Sequence, residues 1–573
     1  MIRNYIHSLI LMVALSLTFA SCVADIEANS KSIADYTDHD VQSYGDLFEV
    51  FWNVMNQRYC DLYEQAGAST MDWDQVYSEY KPKFDALKSF LHTYNFTQEE
   101  ILSDNAKAQQ YFDEIVGKII DQHFYVNVTL PVSHSSTETV SFASSLRNKE
   151  NENPLFYRWE YMQNQLRQDD TAFDNGGTSL FSMMGGFLKD HPDIYYLGFT
   201  AFSINENCFY TYRQDYLPVN EVSPYHIDQQ KIADKVSGLQ TSEEKRTEIE
   251  QEAVALLSTI NQYFVSEEVQ TLCKKMTAYS NKGDYYGLTD YAQKAVEDAP
   301  DVIKDLENAE NVSDVTSHIF NAIKNDNSCQ AICSESSFAQ WFSASLAAYL
   351  CHERELNAYW ADLMFTYKHP LVETYRRCFL EPLAAGKINK LILDVRSNGG
   401  GDVVDTRLLT DFLISHTATY CYARKKENNN PYGYSPWVPQ QIAVTPNSLG
   451  RDIPTVVLLD NYSASMAETT ALILKSQGDH VKTVGRNSSG ALCMLSEANS
   501  SYNGGWVGDV TSYLTFYMPF MMTKDANGNI LEAVGITPDY TVDPMTEDEL
   551  QKMATDPDSA TDKDMEKAIE VLQ

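Results

Sequence analysis

The chain has 573 residues, more than one hydrophobic core of ordinary size can organise, so it divides into several domains. Hydrophobic residues at 43% and charged residues at 21% are proportions of a folded chain and exclude wholesale disorder. Its 80 acids against 43 bases leave a formal charge of −37, which repels nucleic acid and anionic lipid headgroups and argues against both as partners.

Arg3 precedes an apolar run from Leu9 to Phe19, and Ala20 and Ser21 lead into Cys22. A short apolar stretch with a cationic start is the pattern of a secretory signal and is too short to span a bilayer. Leu17-Thr18-Phe19-Ala20-Ser21-Cys22 resembles a bacterial lipobox, with Phe19 where leucine is commoner. That resemblance implies a signal peptide over 1–21 and a lipid on Cys22. The chain would then sit in the cell envelope, at the outer membrane or cell surface, anchored by lipid alone. An ordinary cleaved signal beside a chance cysteine is the alternative. The other nine cysteines are scattered and show neither a disulfide framework nor a zinc-ligand spacing.

Residues 22–43 read as an acidic tether and 44–125 as an N-terminal helical region. There Phe48, Phe51, Trp52 and Met55 recur at helical spacing, and a second helix from Trp73 is expected to stop before Pro82. Thr97 and Glu100 form a capping-box spacing ahead of a third helix, which leads to Asp121-Gln122-His123. Residues 126–209 are mixed, with a buried strand at Asp193 to Phe199, and 210–345 read as a charged helical insertion without a chemical motif. The core domain is placed at 346–545, and from 386 strands and helices alternate: strands at Lys390 to Val395, Pro454 to Leu459, His480 to Val484 and Tyr513 to Met518, then a hairpin turn at Asn527-Gly528. Such alternation predicts an α/β core with parallel crossovers. The acidic helix of 546–573 is expected to be peripheral.

Two strand-to-helix junctions in this core could hold chemistry. At Asn398-Gly399-Gly400-Gly401, successive glycines expose backbone N–H groups that can cradle an anion; a tight turn is the plainer reading. At Tyr462-Ser463-Ala464-Ser465-Met466-Ala467-Glu468, a serine could present its hydroxyl beyond the strand ends, or merely cap the helix. Together they supply a nucleophile and a place for its oxyanion.

These two segments, followed by Gly535-Ile536-Thr537-Pro538-Asp539, occur in the order seen in tail-specific proteases, and Asp121-Gln122-His123 resembles that family's Asp-Gly-His segment. The resemblance covers about 44–125 and 386–541 and implies a ClpP/crotonase-like catalytic core. It implies Ser465 as nucleophile, with the amide of Met466 and that of Gly399 or Gly400 as oxyanion hole. Many such proteases use a nearby lysine as base, but Ala491 stands in its place. The tricorn-like branch uses histidine and glutamate instead, which maps onto His123 and Glu532, with Gln122 where tricorn has a serine. The family's peptide-binding PDZ module has too little chain between His123 and Tyr195 and is expected to be absent or eroded. The expected activity is serine-type hydrolysis of peptide bonds in a peptide or protein substrate, with no cofactor and no metal. The alternative is a non-catalytic surface lipoprotein that binds peptides or glycans on a degenerate protease scaffold.

Overall fold

The structure, a computed structural model, describes residues 31–62, 71–144, 155–175, 181–204, 217, 223–282, 288–304, 306, 311–368, 374–403, 405–427, 433–494, 506–519 and 521–573. The signal-like segment and Cys22 lie outside the described residues. The chain separates into two compact units, one formed by Met1–Phe202 with Leu383–Gln573, the other by Ser203–Pro382.

In the first unit three helices pack on a small sheet. Helix α1 (Tyr44–Arg58) starts at Ser43, whose side chain accepts from the Asp46 amide. Its apolar stripe buries Phe48 against Phe84 of α2 (Trp73–Asp85), centroids 4.8 Å apart, and Phe51 against Phe112 of α3 (Gln98–Val116) at 5.3 Å. The expected stop before Pro82 is overturned, because α2 continues to Asp85. Proline removes one helical hydrogen bond, but burial of Phe84 on the far side of it offsets the loss. The chain then enters β1 (Tyr125–Pro131) and β2 (Thr137–Ala143). They form a four-stranded sheet with β11 (Trp506–Thr511) and β12 (Leu514–Tyr517), in the order β11-β12-β1-β2. Residues expected to hold a reduced PDZ remnant thus supply strands, including β3 (Phe173–Asp174), β4 (Met183–Phe187) and β5 (Tyr195–Phe199) of the central sheet.

That seven-stranded sheet has the order β14-β10-β9-β6-β5-β4-β3. Strands β5, β6 (Leu391–Asp394), β9 (Thr455–Leu459), β10 (Val481–Gly485) and β14 (Tyr540–Thr541) run parallel, and β4 and β3 extend it antiparallel. The α/β core read from the sequence is therefore present. A third sheet sets β7 (Ala418–Lys425) between β8 (Val438–Ile442) and β13 (Met521–Asp525). The expected turn after Asp525 forms, with the Gly528 amide donating to the Asp525 carbonyl, but the long partner of β13 is β7.

The last helix is not peripheral. Met565, Ala568 and Leu572 of that helix (Lys563–Leu572) join Ile392, Val456 and Val484 in one buried cluster. Its acidic residues misled the pattern because two of them, Asp562 at the N-cap and Asp564, are 0% and 1% exposed and neutralised inside the protein.

The second unit is helical and larger than expected. The insertion was placed at 210–345, yet the unit extends over Ser203–Pro382 and includes helices Ser336–His352 and Leu356–Lys368. Their apolar residues, such as Phe338, Phe342 and Leu346, bury within this unit rather than opening the α/β core, which resumes at Leu383.

Candidate active site

Strands β6 and β9 lie side by side and parallel, so the loops leaving their C-terminal ends meet. Several bonds lock that meeting. The Ser463 hydroxyl donates to the Val395 carbonyl at 2.7 Å and accepts from the Asp460 amide at 3.0 Å, so it staples the two strand ends. The Ala464 amide donates to the Asn398 carbonyl at 3.0 Å, and Asn398 Nδ2 donates to the Phe199 carbonyl at 2.9 Å.

Ser465 sits at the N-cap of a helix over Met466–Lys475, with φ 55° and ψ −113°. That is a costly conformation for a residue with a Cβ, tolerated only where the surroundings impose it. Here the imposition is visible. The Ser465 amide donates to Glu468 Oε2 at 3.0 Å, and the Gly400 backbone presses against the serine from the other side. A Cβ on Gly400, at φ 92°, would lie 2.6 Å from Ser465 Cβ and 2.8 Å from the Met466 nitrogen. Glycine is therefore required for the approach. Ser465 and Glu468 also form a capping box at the start of this helix, so the capping reading holds beside the strained placement of the serine.

The oxyanion assignment needs one correction. The Gly400 N–H is spent on Asn398 Oδ1 at 2.9 Å, so Gly400 provides clearance, not a donor. The amides of Gly399 and Met466 have no hydrogen-bond partner among the described residues, and a Cβ on Gly399 would meet nothing within 4 Å.

A cavity of about 410 Å³ brings Ser465 and Gly399 together with His123, Gln122, Tyr125, Tyr517 and Ala491. Its walls come from both sequence regions. Gln122 Nε2 donates to the Ser489 carbonyl at 2.6 Å while the Ser489 hydroxyl donates to Gln122 Oε1 at 2.6 Å, which joins the α3–β1 loop to the core. Tyr125 and Tyr517 stack across β1 and β12 with centroids 5.1 Å apart. Ala491 lines the same cavity.

His123 is set by Asp121, whose Oδ1 accepts from the His123 amide at 2.7 Å and lies 3.8 Å from Nδ1. Glu532 does not pair with the imidazole. Its Oε2 accepts from the Leu492 and Cys493 amides, each at 2.7 Å, and no hydrogen bond or ion pair joins it to His123 among the described residues. Burial pushes the Glu532 carboxyl well above its ordinary value, and the charges of Asp121 and Asp61 push it further than the two amides pull back. Glu532 thus stands behind Asp121 as a buried acid that favours its proton.

Sequence reasoning gave no role to Glu468. This carboxylate is fully buried: Oε1 accepts from the Ser488 hydroxyl at 2.5 Å and the Gly490 amide at 2.8 Å, and Oε2 from the Ala491 amide at 2.8 Å and from Ser465. Burial raises its pKa, and these four bonds offset part of the rise. It fixes the 488–491 loop against the serine. The only signal was its spacing three residues after Ser465, which reads as an ordinary cap.

Behind the glycine loop lies a second charge cluster. Arg396 is buried and donates to Asp394 (2.7 and 3.0 Å), Asp562 (2.9 Å twice) and Asp564 (2.9 Å). Arg486 adds two bonds to Asp564, at 3.2 and 3.1 Å. Burial alone would raise Asp394, but the charge and hydrogen bonds of Arg396 outweigh it and hold the carboxyl at about 2.

Residues 373–542 match the family model described as peptidase family S41. No curated protein matches the chain. Among solved structures, a candidate peptidase from Parabacteroides merdae is 14% identical over 93% of this chain and 97% of its own, with a TM-score of 0.43. A photosystem II D1 C-terminal processing protease is 19% identical over 33% of this chain and 44% of its own, TM-score 0.22. A lipoprotein from Streptococcus agalactiae is 12% identical over 88% and 95%, TM-score 0.29.

Proposed function

We propose that this chain, which carries a peptidase family S41 domain over residues 373–542, is a serine peptidase with Ser465 as nucleophile and His123 as base. The observation that carries the reading is the strained Ser465 in one cavity with His123 and the Gly399 amide, with the Met466 amide adjoining. His123 takes the hydroxyl proton as Ser465 Oγ attacks the peptide carbonyl. Negative charge builds on the carbonyl oxygen, where the Gly399 and Met466 N–H groups stabilise it. His123 returns the proton to the leaving amine, and water then releases the acyl group by the same path. Asp121 orients the ring and stabilises its cation, while Glu532 holds the Leu492 and Cys493 amides of the neighbouring wall. No lysine is among the described residues that line the cavity, which fits histidine as the base.

The test is labelling by a fluorophosphonate probe together with peptide hydrolysis by the purified chain. Wild type should label at one serine, Ser465→Ala should not, and His123→Ala should lower hydrolysis by about 10²-fold or more. Undiminished hydrolysis by Ser465→Ala would overturn the assignment. Silence of the folded wild type would favour the binder on a degenerate scaffold, which the Ala491 substitution at the lysine position supports.

We place the protein in the cell envelope, held by a lipid on Cys22, on the strength of the Leu17–Cys22 segment. Partition of wild type into detergent, lost in Cys22→Ser, is the expected result.

A further inference from the structure

Cys60, just past the end of α1, and Cys493, two residues beyond Ala491 of the cavity wall, come from opposite ends of the first unit and meet in its interior. They are 0% and 3% exposed and share a small buried cluster with Met522, against which Tyr434, Trp437 and Ile530 pack. Both are free thiols in the structure and belong to this one three-residue buried cluster. Both backbones are held: the Cys60 carbonyl accepts from the Tyr434 hydroxyl at 3.1 Å, and the Cys493 amide donates to Glu532 at 2.7 Å. Two thiols held in one small buried cluster by independent backbone restraints are placed to bond.

We propose that Cys60 and Cys493 form a structural disulfide that staples the N-terminal helical region to the wall of the candidate active site. Both thiols lose their protons, one sulfur–sulfur bond forms, and the two electrons pass to a small-molecule or protein disulfide, which is reduced to two thiols. The bond is a staple and not a switch. The Cys60 thiol is raised by burial, and the Cys493 thiol by its Cys60 neighbour and then by burial, so the folded, reduced pair offers little thiolate for exchange. Oxidation therefore occurs while the chain folds, and the completed bond is then shielded from reductant. Closing a loop of more than four hundred residues restricts the unfolded chain strongly. The same bond fixes Cys493, and through it the amides that hold Glu532 Oε2.

The test is refolding of the full chain in buffers of reduced and oxidised glutathione, followed by alkylation under denaturing, non-reducing conditions and peptide mass spectrometry. The expected product joins the Cys60 and Cys493 peptides, is lighter than the dithiol by two hydrogen atoms, and separates on reduction. Alkylation of both cysteines at every glutathione ratio, or pairing of either with another cysteine, would overturn the proposal. A Cys60→Ser, Cys493→Ser double variant gives an independent reading: reductant should lower the melting temperature of oxidised wild type by several degrees and leave that of the variant unchanged. An equal response of the two proteins would also count against the bond.

Discussion

The candidate site lies between two buried charge clusters that solve the same problem in opposite ways. Behind the glycine loop, Asp394, Asp562 and Asp564 face the guanidinium groups of Arg396 and Arg486, and Asp394 stays ionised down to about pH 2. Beside the serine and histidine, Glu468 and Glu532 are equally buried but receive only amides and a hydroxyl, and both are pushed above the ordinary carboxyl value. A buried anion with a forked cation becomes a rigid, permanently charged frame. One without a cation takes up its proton more readily and keeps its sensitivity to pH. The rigid cluster lies behind the loop that carries Gly399, whereas the protonatable one lies beside the proposed nucleophile and base.

The sharpest way to break this contrast is to remove the cation. Arg396→Met leaves three carboxylates buried without their main partner. Breaking a buried pair by removing one member costs about 3–5 kcal/mol, and urea unfolding should show a loss of that order. A loss below about 1 kcal/mol would mean that water already reaches this cluster. The sign of the pH effect follows from Asp394. Its folded pKa lies below the unfolded value of 3.8, so its contribution is present above 3.8 and disappears as pH falls towards about 2.

A smaller effect is expected from Glu468→Gln, which preserves shape but turns an acceptor oxygen into a donor facing bound N–H groups. At least one buried donor is left unmatched, a cost of about 2 kcal/mol. Because Glu468 holds Ser465 and the 488–491 loop at once, hydrolysis should fall with KM rising as well as kcat falling. A variant that loses stability with unchanged kinetics would reduce Glu468 to a packing residue.

What could be read in advance follows the same division. The Asn398–Gly401 and Ser463–Ser465 segments were legible because backbone geometry leaves them few options: a Cβ on Gly400 would strike Ser465 itself. The parallel strands were legible because they are buried on both faces and so are continuously apolar, as in Leu391–Asp394 and Thr455–Leu459. Asp562 and Asp564 were not, since an acid in an acidic segment looks solvated until its arginine, more than 160 residues earlier, is in place. The same limit hid the work of Glu468 and the meeting of Cys60 with Cys493. His123 could be found from its local segment, but the acid beside it could not: the resemblance pointed to Glu532, whereas Asp121 is the carboxylate that lies 3.8 Å from the ring.

The smallest effect separates those two acids. In Glu532→Gln, the amide oxygen can still accept from Leu492 and Cys493, and the amide nitrogen takes the place of Oε1, which has no partner among the described residues of the wild type. A protonated glutamic acid and a glutamine have nearly the same shape and charge, so near pH 5 the stabilities should agree within about 1 kcal/mol. Wild-type Glu532 has a folded pKa well above its unfolded value of 4.5. Between those values the folded state binds the extra proton, so the unfolding free energy of wild type falls as pH rises. The glutamine variant lacks this decline and should become the more stable protein towards pH 8. Had Glu532 instead been an ionised partner of the His123 cation, the variant would be the weaker one near neutrality. The crossing or non-crossing of the two stability curves therefore decides whether Asp121 or Glu532 holds the imidazole, without reference to any substrate.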